Sequence, residues 1–435
     1  MFMIIGVVAL GLAVAMFILY KLSHPERDPN YYKQQLAGLP PFSSPARSFI
    51  VFINRNSGKG TASRMWECLQ DVLQSKGQEA KVDLNFQILY SETAGHEIQL
   101  SEAVGKDLAE KQTERTRVVV VILGGDGYVC NVVNGLYKSG GLPYCTITVV
   151  PAGSGNGVAC STGCRTLRDS AQALLGAQGA CTPYDLVAVQ LCRGGKDSSR
   201  TGKQEKEKVF RHGDKFVSAL SVAFGAVADH DFYAENKFRW LGPKHPFSIV
   251  TKEIVPMYML AKCKHYRARV AFVPCENTDV FSTPLRQPYT RDGKWIVMDD
   301  NFLMVQCVNV PWIASDACFV PAASTYDGCV YVCICRNTSR LSAARMFIEC
   351  QTGAHVNRDN EDVEIYAVSE FCLLPHTGDG HMAIDGELLE YSAGDQLSFT
   401  VLPRAAHALV SPAARKAAER GRKDWQRRLL SSSST

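Results

Sequence analysis

Apolar and polar positions along this chain fall into three patterns, one after another. The first is a single unbroken apolar run, Phe2–Tyr20, closed by Lys21. A helix needs about 20 such residues to cross a bilayer. The second pattern, from Ser48 to residue 183, alternates short β-branched runs with stretches of helical period. Ser48–Ile53, Asn85–Tyr90, Val118–Leu123 and Thr146–Val150 read as strands. Thr61–Gln74 reads as a helix, with Met65, Trp66, Leu69, Val72 and Leu73 on one face, and another helix runs to about Gln112. Continuous apolar strands alternating with helices predict a parallel sheet covered on both faces. The third pattern begins near Tyr184, where strand-like runs follow one another with few helices between them. They are Leu186–Leu191, Phe216–Ala226, Ala268–Val273, Trp295–Asn309, Gly328–Cys335, Val363–Leu374 and Gln396–Leu402. This predicts a mainly antiparallel β domain. The fold class is therefore α/β followed by β, behind an N-terminal transmembrane helix.

The boundaries follow from these changes of pattern: an anchor over 1–22, a linker over 23–47, an α/β domain over 48–183, a β domain over 184–403 and a basic tail over 404–435. The linker holds Pro25, Pro29, Pro40, Pro41 and Pro45, and reads as a spacer off the membrane. No side-chain charge precedes the apolar run, unlike a secretory signal, and Lys21, His24, Arg27 and Lys33 follow it. The positive-inside rule then puts the bulk of the chain in the cytosol; a cleaved signal or an organelle-targeting helix is the alternative. Gly194–Lys208 reads as a charged loop. Trp240–Lys262 and Leu341–Glu349 read as apolar helices, which suit either a lipid pocket or core packing. The tail reads as a basic helix, lying on an anionic membrane or frayed into solvent.

The candidate chemistry sits where strands of the second pattern end. Val118–Leu123 runs into Gly124-Gly125-Asp126-Gly127, and Thr146–Val150 into Pro151-Ala152-Gly153-Ser154-Gly155-Asn156-Gly157. Ser48–Ile53 runs into Asn54-Arg55-Asn56-Ser57-Gly58-Lys59-Gly60. Glycine lets backbone approach a ligand, and N–H groups at a helix start favour phosphate. The last of these turns is not a Walker A loop, because no glycine stands five residues before Gly58. All three turns follow parallel strands, so they gather at one sheet edge, where such folds bind ligands. Asp126 is the only ionisable side chain in the two turns after the Val118 and Thr146 strands. A carboxylate among phosphate-cradling glycines repels a nucleotide unless it takes a proton from an acceptor hydroxyl.

Composition changes little in this picture. Hydrophobic residues at 46% and charged residues at 21% are ordinary for a globular protein. A net charge of +4 gives no reason to expect nucleic acid. Sixteen cysteines form no regular framework, and Cys329, Cys333 and Cys335 alternate onto one strand face without paired zinc-site spacing. They read as reduced, mostly buried thiols of a cytosolic protein.

Five blocks read together resemble the diacylglycerol-kinase-type catalytic domain and, within it, the sphingosine (long-chain base) kinases. They are NRNSGKG (54–60), LGGDGYVCNVVNGL (123–136), PAGSGNGVACS (151–161), ALSVAFGAVADHDFYAENKFRWLG (219–242) and MAIDGELLEY (382–391), and the resemblance covers roughly Ser48 to Pro403. It implies that an α/β domain and a β-sandwich domain enclose ATP, with lipid held in the second. Asp126 is then the general base on the lipid's primary hydroxyl. Asn54, Gly58, Lys59, Ser91, Gly125, Gly127, Gly153 and Ser154 surround the nucleotide. Arg239 neutralises phosphate, and Lys244 stands near the place of a second family arginine, with its charge but not its fork. Glu387 faces the phosphates and Mg2+, and Asp231 pairs with the cationic amine of the base. His355 matches a histidine near the lipid.

Two departures stand out. Arg55 replaces the proline usual after the asparagine, as either a phosphate contact or a solvated side chain. One extra residue between Asp231 and Arg239 leaves open whether Asp229 or Asp231 meets the amine. The implied activity is ATP-dependent phosphorylation of sphingosine or a related base at its primary hydroxyl. A carboxylate facing an ammonium favours lipids that carry an amine over diacylglycerol and ceramide. A diacylglycerol or ceramide kinase, a soluble nucleotide kinase such as an NAD kinase, and a non-catalytic lipid-binding scaffold are the rival readings.

Overall fold

The computed structural model describes residues 28, 30–57, 60–176, 180–192, 216–236, 255–256, 258–276, 282–356 and 362–431. The expected anchor over 1–22, the Gly194–Lys208 loop, Gly58, Lys59, Arg239 and Lys244 lie outside the described residues. Among the described residues no helix is long and apolar enough to cross a membrane.

The N-terminal half is built on four parallel strands, β1 (Ser48–Asn54), β2 (Asn85–Ser91), β3 (Val118–Gly124) and β4 (Thr146–Pro151), in the order β4-β3-β1-β2. β3 is VVVVILG and is buried at every position, as the continuous apolar run requires of a strand covered on both faces. β2 sits at the edge and is only partly buried. Register aligns the carboxyl ends: Asn54 pairs with Ser91, Ile53 with Leu123 and Gly124 with Pro151. Short helices follow the strands: α1 (Tyr31–Gln35) precedes them, then come α2 (Ala62–Glu79), α3 (His96–Lys111), α4 (Asp126–Lys138), α5 (Gly157–Thr162) and α6 (Leu167–Leu174). As expected, the glycine turns open onto one edge.

The mostly-β half comprises β5 (Ala180–Cys192), β6 (Phe216–Ser218), β7 (Ser221–Gly225), β8 (Tyr266–Pro274), β9 (Thr290–Asp292), β10 (Trp295–Val308), β11 (Trp312–Ala314), β12 (Ala317–Cys318), β13 (Val330–Arg336), β14 (Glu364–Pro375), β15 (Met382–Ile384), β16 (Glu387–Leu389) and β17 (Gln396–Val410). It adds three helices, α7 (Ala226–Asn236), α8 (Arg340–Glu349) and α9 (Pro412–Ser431). β10 pairs β13, β13 pairs β14, β14 pairs β8 and β8 returns to β10, so four strands close a ring around Phe272, Phe302, Phe371 and their neighbours. Sheet and ring are continuous. β17 pairs β5 from Gln396 to Val410, pairs β14 over its first part, and meets β4 in parallel at Ala408. The boundaries expected at 183/184 and 403/404 therefore fall inside β5 and β17.

Three expectations are corrected here. The stretch over 30–47 is no free spacer. Tyr32, Leu36, Leu39, Phe42 and Ala46 are buried in the α/β core, Ser43 N–H donates to the Leu175 carbonyl, and Arg168 donates to the carbonyls of Gln35 and Ala37. The prolines shape a strap whose apolar residues still find the core. Second, the basic tail is docked: α9 buries Ala418 and Trp425, and Trp425 joins the core shared by β10, β13 and α8. Third, not every thiol is reduced: Cys275 and Cys329 form a disulfide with Cα atoms 6.5 Å apart. The closed ring brings the end of β8 beside the start of β13, 54 residues further on. Cys333 and Cys335 are buried on the same face as Cys329, as alternation requires.

Candidate functional site

The two glycine turns of the α/β half touch backbone to backbone. A Cβ built on Gly153 would lie 2.4 Å from the Gly125 Cα, so the second turn has no room for a side chain at Gly153. Asn156 holds the second turn in shape. Its side chain accepts from Gly153 N–H at 2.8 Å and donates to the Gly153 carbonyl at 2.9 Å, while its own backbone sits at φ +59°. Asparagine tolerates that left-handed conformation better than most side chains. Ser154 is exposed at the tip.

Asp126 is the first residue of α4, and its carboxylate is tied to the second turn. Oδ2 accepts from Gly157 N–H at 3.0 Å and Oδ1 from Val158 N–H at 3.1 Å. Burial pushes this carboxyl up to about 6, against the two N–H groups, which pull it down. A base with that pKa is charged at neutral pH and holds a proton better than an ordinary aspartate.

Glu387 reaches the same place from the other half of the chain. A Cβ on Gly127 would lie 2.2 Å from Glu387 Oε1, so the glutamate packs directly on the first glycine turn. What places it there is Asp385, a residue not singled out beforehand as a site residue. Asp385 is 1% exposed and accepts from Ser218 Oγ at 2.5 Å and from the N–H groups of Ala219, Leu220 and Ser221 at 2.7, 3.1 and 2.8 Å. With Asp385 at φ +50° and Gly386 at φ +85°, the β15–β16 hairpin turns tightly and presents Glu387. The Asp-Gly pair in IDGEL is the sequence signal for that turn.

Asn54 and Ser91 end neighbouring strands at this edge. The Asn54 side chain accepts from Asn56 N–H at 3.0 Å and shapes its own turn. Ser91 lies beside the Tyr128 hydroxyl of α4. Arg55 lays its guanidinium over the Tyr90 ring, 4.3 Å from the centroid. The structure thus brings Asn54, Ser91, Gly125, Asp126, Gly127, Gly153, Ser154 and Glu387 to one edge.

Beyond β7 lies a small, shallow cleft, open to solvent and lined mainly by apolar side chains, among them Ala226, Tyr233, Met259, Leu260, Leu303 and Phe347. Asp229 is the carboxylate in its wall. It accepts from the Tyr266 hydroxyl and lies 2.6 Å from His381 Nδ1. His381 is in turn stacked on Phe232, with ring centroids 3.8 Å apart. Asp231, expected to meet the amine, is not part of this wall. It is a third exposed and sits 3.5 Å from His230. Two residues on a helix are about 200° apart, so Asp229 and Asp231 cannot face the same way. His355 is also elsewhere: fully buried, 5.2 Å from the Phe319 ring centroid, with its pKa pushed down to about 4 by burial. It packs the core rather than lining the cleft.

The cleft and the turns are joined through β15. His381, just before this strand, touches Asp229; Glu387, just after it, touches Gly127; and β15 itself pairs with β7. Among the described residues no group of three or more His, Cys, Asp or Glu side chains converges as a metal site.

Comparison with known proteins bears on the domain and the fold. Residues 48–189 match the diacylglycerol kinase catalytic domain. Sphingosine kinase 1 of Homo sapiens is 25% identical over 375 residues, covering 78% of this chain and 85% of that protein. Sphingosine kinase 2 of Arabidopsis thaliana is 24% identical over 374 residues, covering 79% and 69%. Sphingoid long chain base kinase 4 of Schizosaccharomyces pombe is 25% identical over 396 residues, covering 84% and 77%. Among solved structures, a putative diacylglycerol kinase from Bacillus anthracis str. Sterne superposes with a TM-score of 0.55 at 14% identity, over 87% of this chain and 98% of that one. That likeness establishes the fold.

Proposed function

We propose that this chain, a sphingosine kinase homologue within the diacylglycerol kinase catalytic superfamily, transfers the γ-phosphoryl group of ATP to the primary hydroxyl of sphingosine or a related long-chain base. The observation that carries the reading is a carboxylate, Asp229, in the wall of an apolar cleft tied through β15 to the glycine turns and Asp126. The apolar lining suits the aliphatic part of such a base, and an ammonium fits such a carboxylate.

In this reading the turns around Gly125, Gly127, Gly153 and Ser154 hold the nucleotide, with Asn54, Gly58, Lys59 and Ser91 at its side. Arg239 and Lys244 supply phosphate-neutralising charge. Asp126 takes the hydroxyl proton as the oxygen attacks the γ-phosphorus and ADP departs. Asp229, not Asp231, receives the amine, and Tyr266 and His381 orient it. Mg2+ neutralises charge on the phosphates when bound. Glu387 would be the side chain that holds it, and one carboxylate with nucleotide oxygens suits an ion that seldom uses an all-protein cage. Asp385 is already saturated with four donors and serves to position Glu387. The apolar run over 1–22 is proposed as the membrane anchor, with both halves of the enzyme on the cytosolic side.

The test is the chain with Mg2+, labelled ATP and a panel of sphingosine, dihydrosphingosine, ceramide and diacylglycerol. Label should enter the amine-bearing bases and vanish in Asp126→Asn. Equal label in ceramide or diacylglycerol would move the substrate assignment. No label in any lipid would remove the kinase reading.

A further inference from the structure

The exposed large apolar side chains among the described residues are Leu341, 82% exposed, and Ile348, 70% exposed. Both lie on α8 and are seven residues apart, which puts them on one stripe of the helix. Ala344 and Arg345 share that stripe. The opposite side of α8 buries Ala343 and Met346, and Ala343 and Phe347 line the cleft that holds Asp229. One helix therefore shows apolar side chains to the cleft and to the outside at once.

Cations surround this face, two of them paired with carboxylates. Lys262 and Lys264 line the same cleft and are exposed, with Lys262 Nζ 4.8 Å from the Tyr258 ring centroid and Lys264 Nζ 2.9 Å from Asp379. Arg340 is exposed at the start of α8, near enough to Cys263 to oppose the rise that burial gives its thiol pKa. Arg345 is two-thirds exposed and paired with Glu349. Apolar side chains that stand out among cations, at the rim of an apolar-lined cleft, match an interfacial helix on an anionic bilayer.

We propose that the outer face of α8, through Leu341 and Ile348 with Arg340, Arg345, Lys262 and Lys264 around it, docks on an anionic lipid surface and sets the cleft mouth against the membrane. The proposal rests on the lipid substrate argued above and adds the route by which that substrate enters. A long-chain base is poorly soluble, and a mouth pressed on the bilayer lets it pass from lipid to cleft without crossing water.

The test uses the full chain and two presentations of substrate. With sphingosine in vesicles of phosphatidylserine and phosphatidylcholine, the double variant Leu341→Asp, Ile348→Asp should lose about tenfold in kcat/KM. With a short-chain, water-soluble base the same variant should match the parent. An unchanged rate on vesicles, or an equal loss on both presentations, overturns the proposal. A second measurement stands apart from turnover: Ile348→Trp, mixed with vesicles whose acyl chains carry bromine, should show quenching beyond that of the parent. Absence of extra quenching overturns the docking, as does quenching that falls away while the face is buried by a second copy of the chain. Failure of the kinase reading looks different: neither presentation is then phosphorylated by the parent.

Discussion

The two ends of the proposed reaction path are built from different material. At the nucleotide end the groups in place are mostly backbone. Two glycine turns touch at Gly125 and Gly153, and Asp126 is pinned by the N–H groups of Gly157 and Val158. At the lipid end they are side chains. Asp229 is held by Tyr266 and His381, which are 37 and 152 residues away in sequence. A backbone site leaves little freedom: a methyl group at a turn is a collision. A side-chain site can be retuned one residue at a time. The difference predicts that changes at the nucleotide end act on the rate for every acceptor, and changes at the lipid end act on which acceptor is used.

The largest effect tests the first half of that statement. Asp126→Asn should lower kcat by about 10³-fold on every lipid that the parent phosphorylates, since a positioned base contributes about 10²–10⁴-fold. In the parent, log kcat/KM should fall with unit slope below about pH 6. The sign follows from the carboxylate: burial raises its pKa to about 6, and only the deprotonated form can take the hydroxyl proton. A pH profile flat down to 4 would remove Asp126 as the base. Gly153→Ala comes next. Its methyl would have to displace Gly125 Cα from 2.4 Å, and misplacing reacting groups by about 1 Å costs roughly 10²-fold. The loss should appear with ATP held constant and any acceptor, and a variant of parental rate would break the contrast.

At the other end the expected effects are smaller and selective. Asp229→Asn should raise KM for sphingosine about 30-fold, within the range of a hydrogen bond to a charged group. Any residual activity on a neutral lipid should be unaffected. Asp231→Asn, on the exposed side of α7, should change KM less than about twofold. The reverse ranking, measured by steady-state kinetics on both variants, would return the amine to Asp231.

How far the sequence carries the reader follows the same contrast. The glycine turns are legible because their chemistry is local. A buried strand, a glycine run and a helix start announce a phosphate site within a dozen residues, and the parallel register then aligns Asn54, Ser91, Gly124 and Pro151 at one edge. The Asp229 site is not legible in that way. The choice between Asp229 and Asp231 depends on which face of α7 meets the cleft, and His381 enters only because β15 pairs with β7. Asp385 is visible as half of an Asp-Gly turn, but its four donors come from residues 218–221, where β6 runs into β7. The burial of the strap over 30–47 and the docking of helix α9, whose helical character the sequence does show, are hidden for a related reason. Proline and basic residues dominate their composition, while the few that matter, such as Phe42 and Trp425, show their role only once the core is assembled.

Arg55 gives the finest test, because it is the side chain that breaks the pattern at the nucleotide end. It follows Asn54 where related turns carry proline, and two roles are open to it from sequence. In the structure its guanidinium lies over Tyr90, and the residue is exposed. A cation–π contact at an exposed site is worth about 0.5–1 kcal/mol, a stabilising contact for the turn rather than a phosphate ligand. Arg55→Ala should therefore lower thermal stability slightly and change KM for ATP by less than about threefold. A phosphate-binding arginine behaves otherwise: its removal should raise KM for ATP tenfold or more, and the effect should shrink as salt is added, because screening already weakens the lost attraction. Measuring KM for ATP at low and high ionic strength separates the two. A large, salt-sensitive loss would mean that even the backbone-built end of this enzyme recruits a side chain of its own.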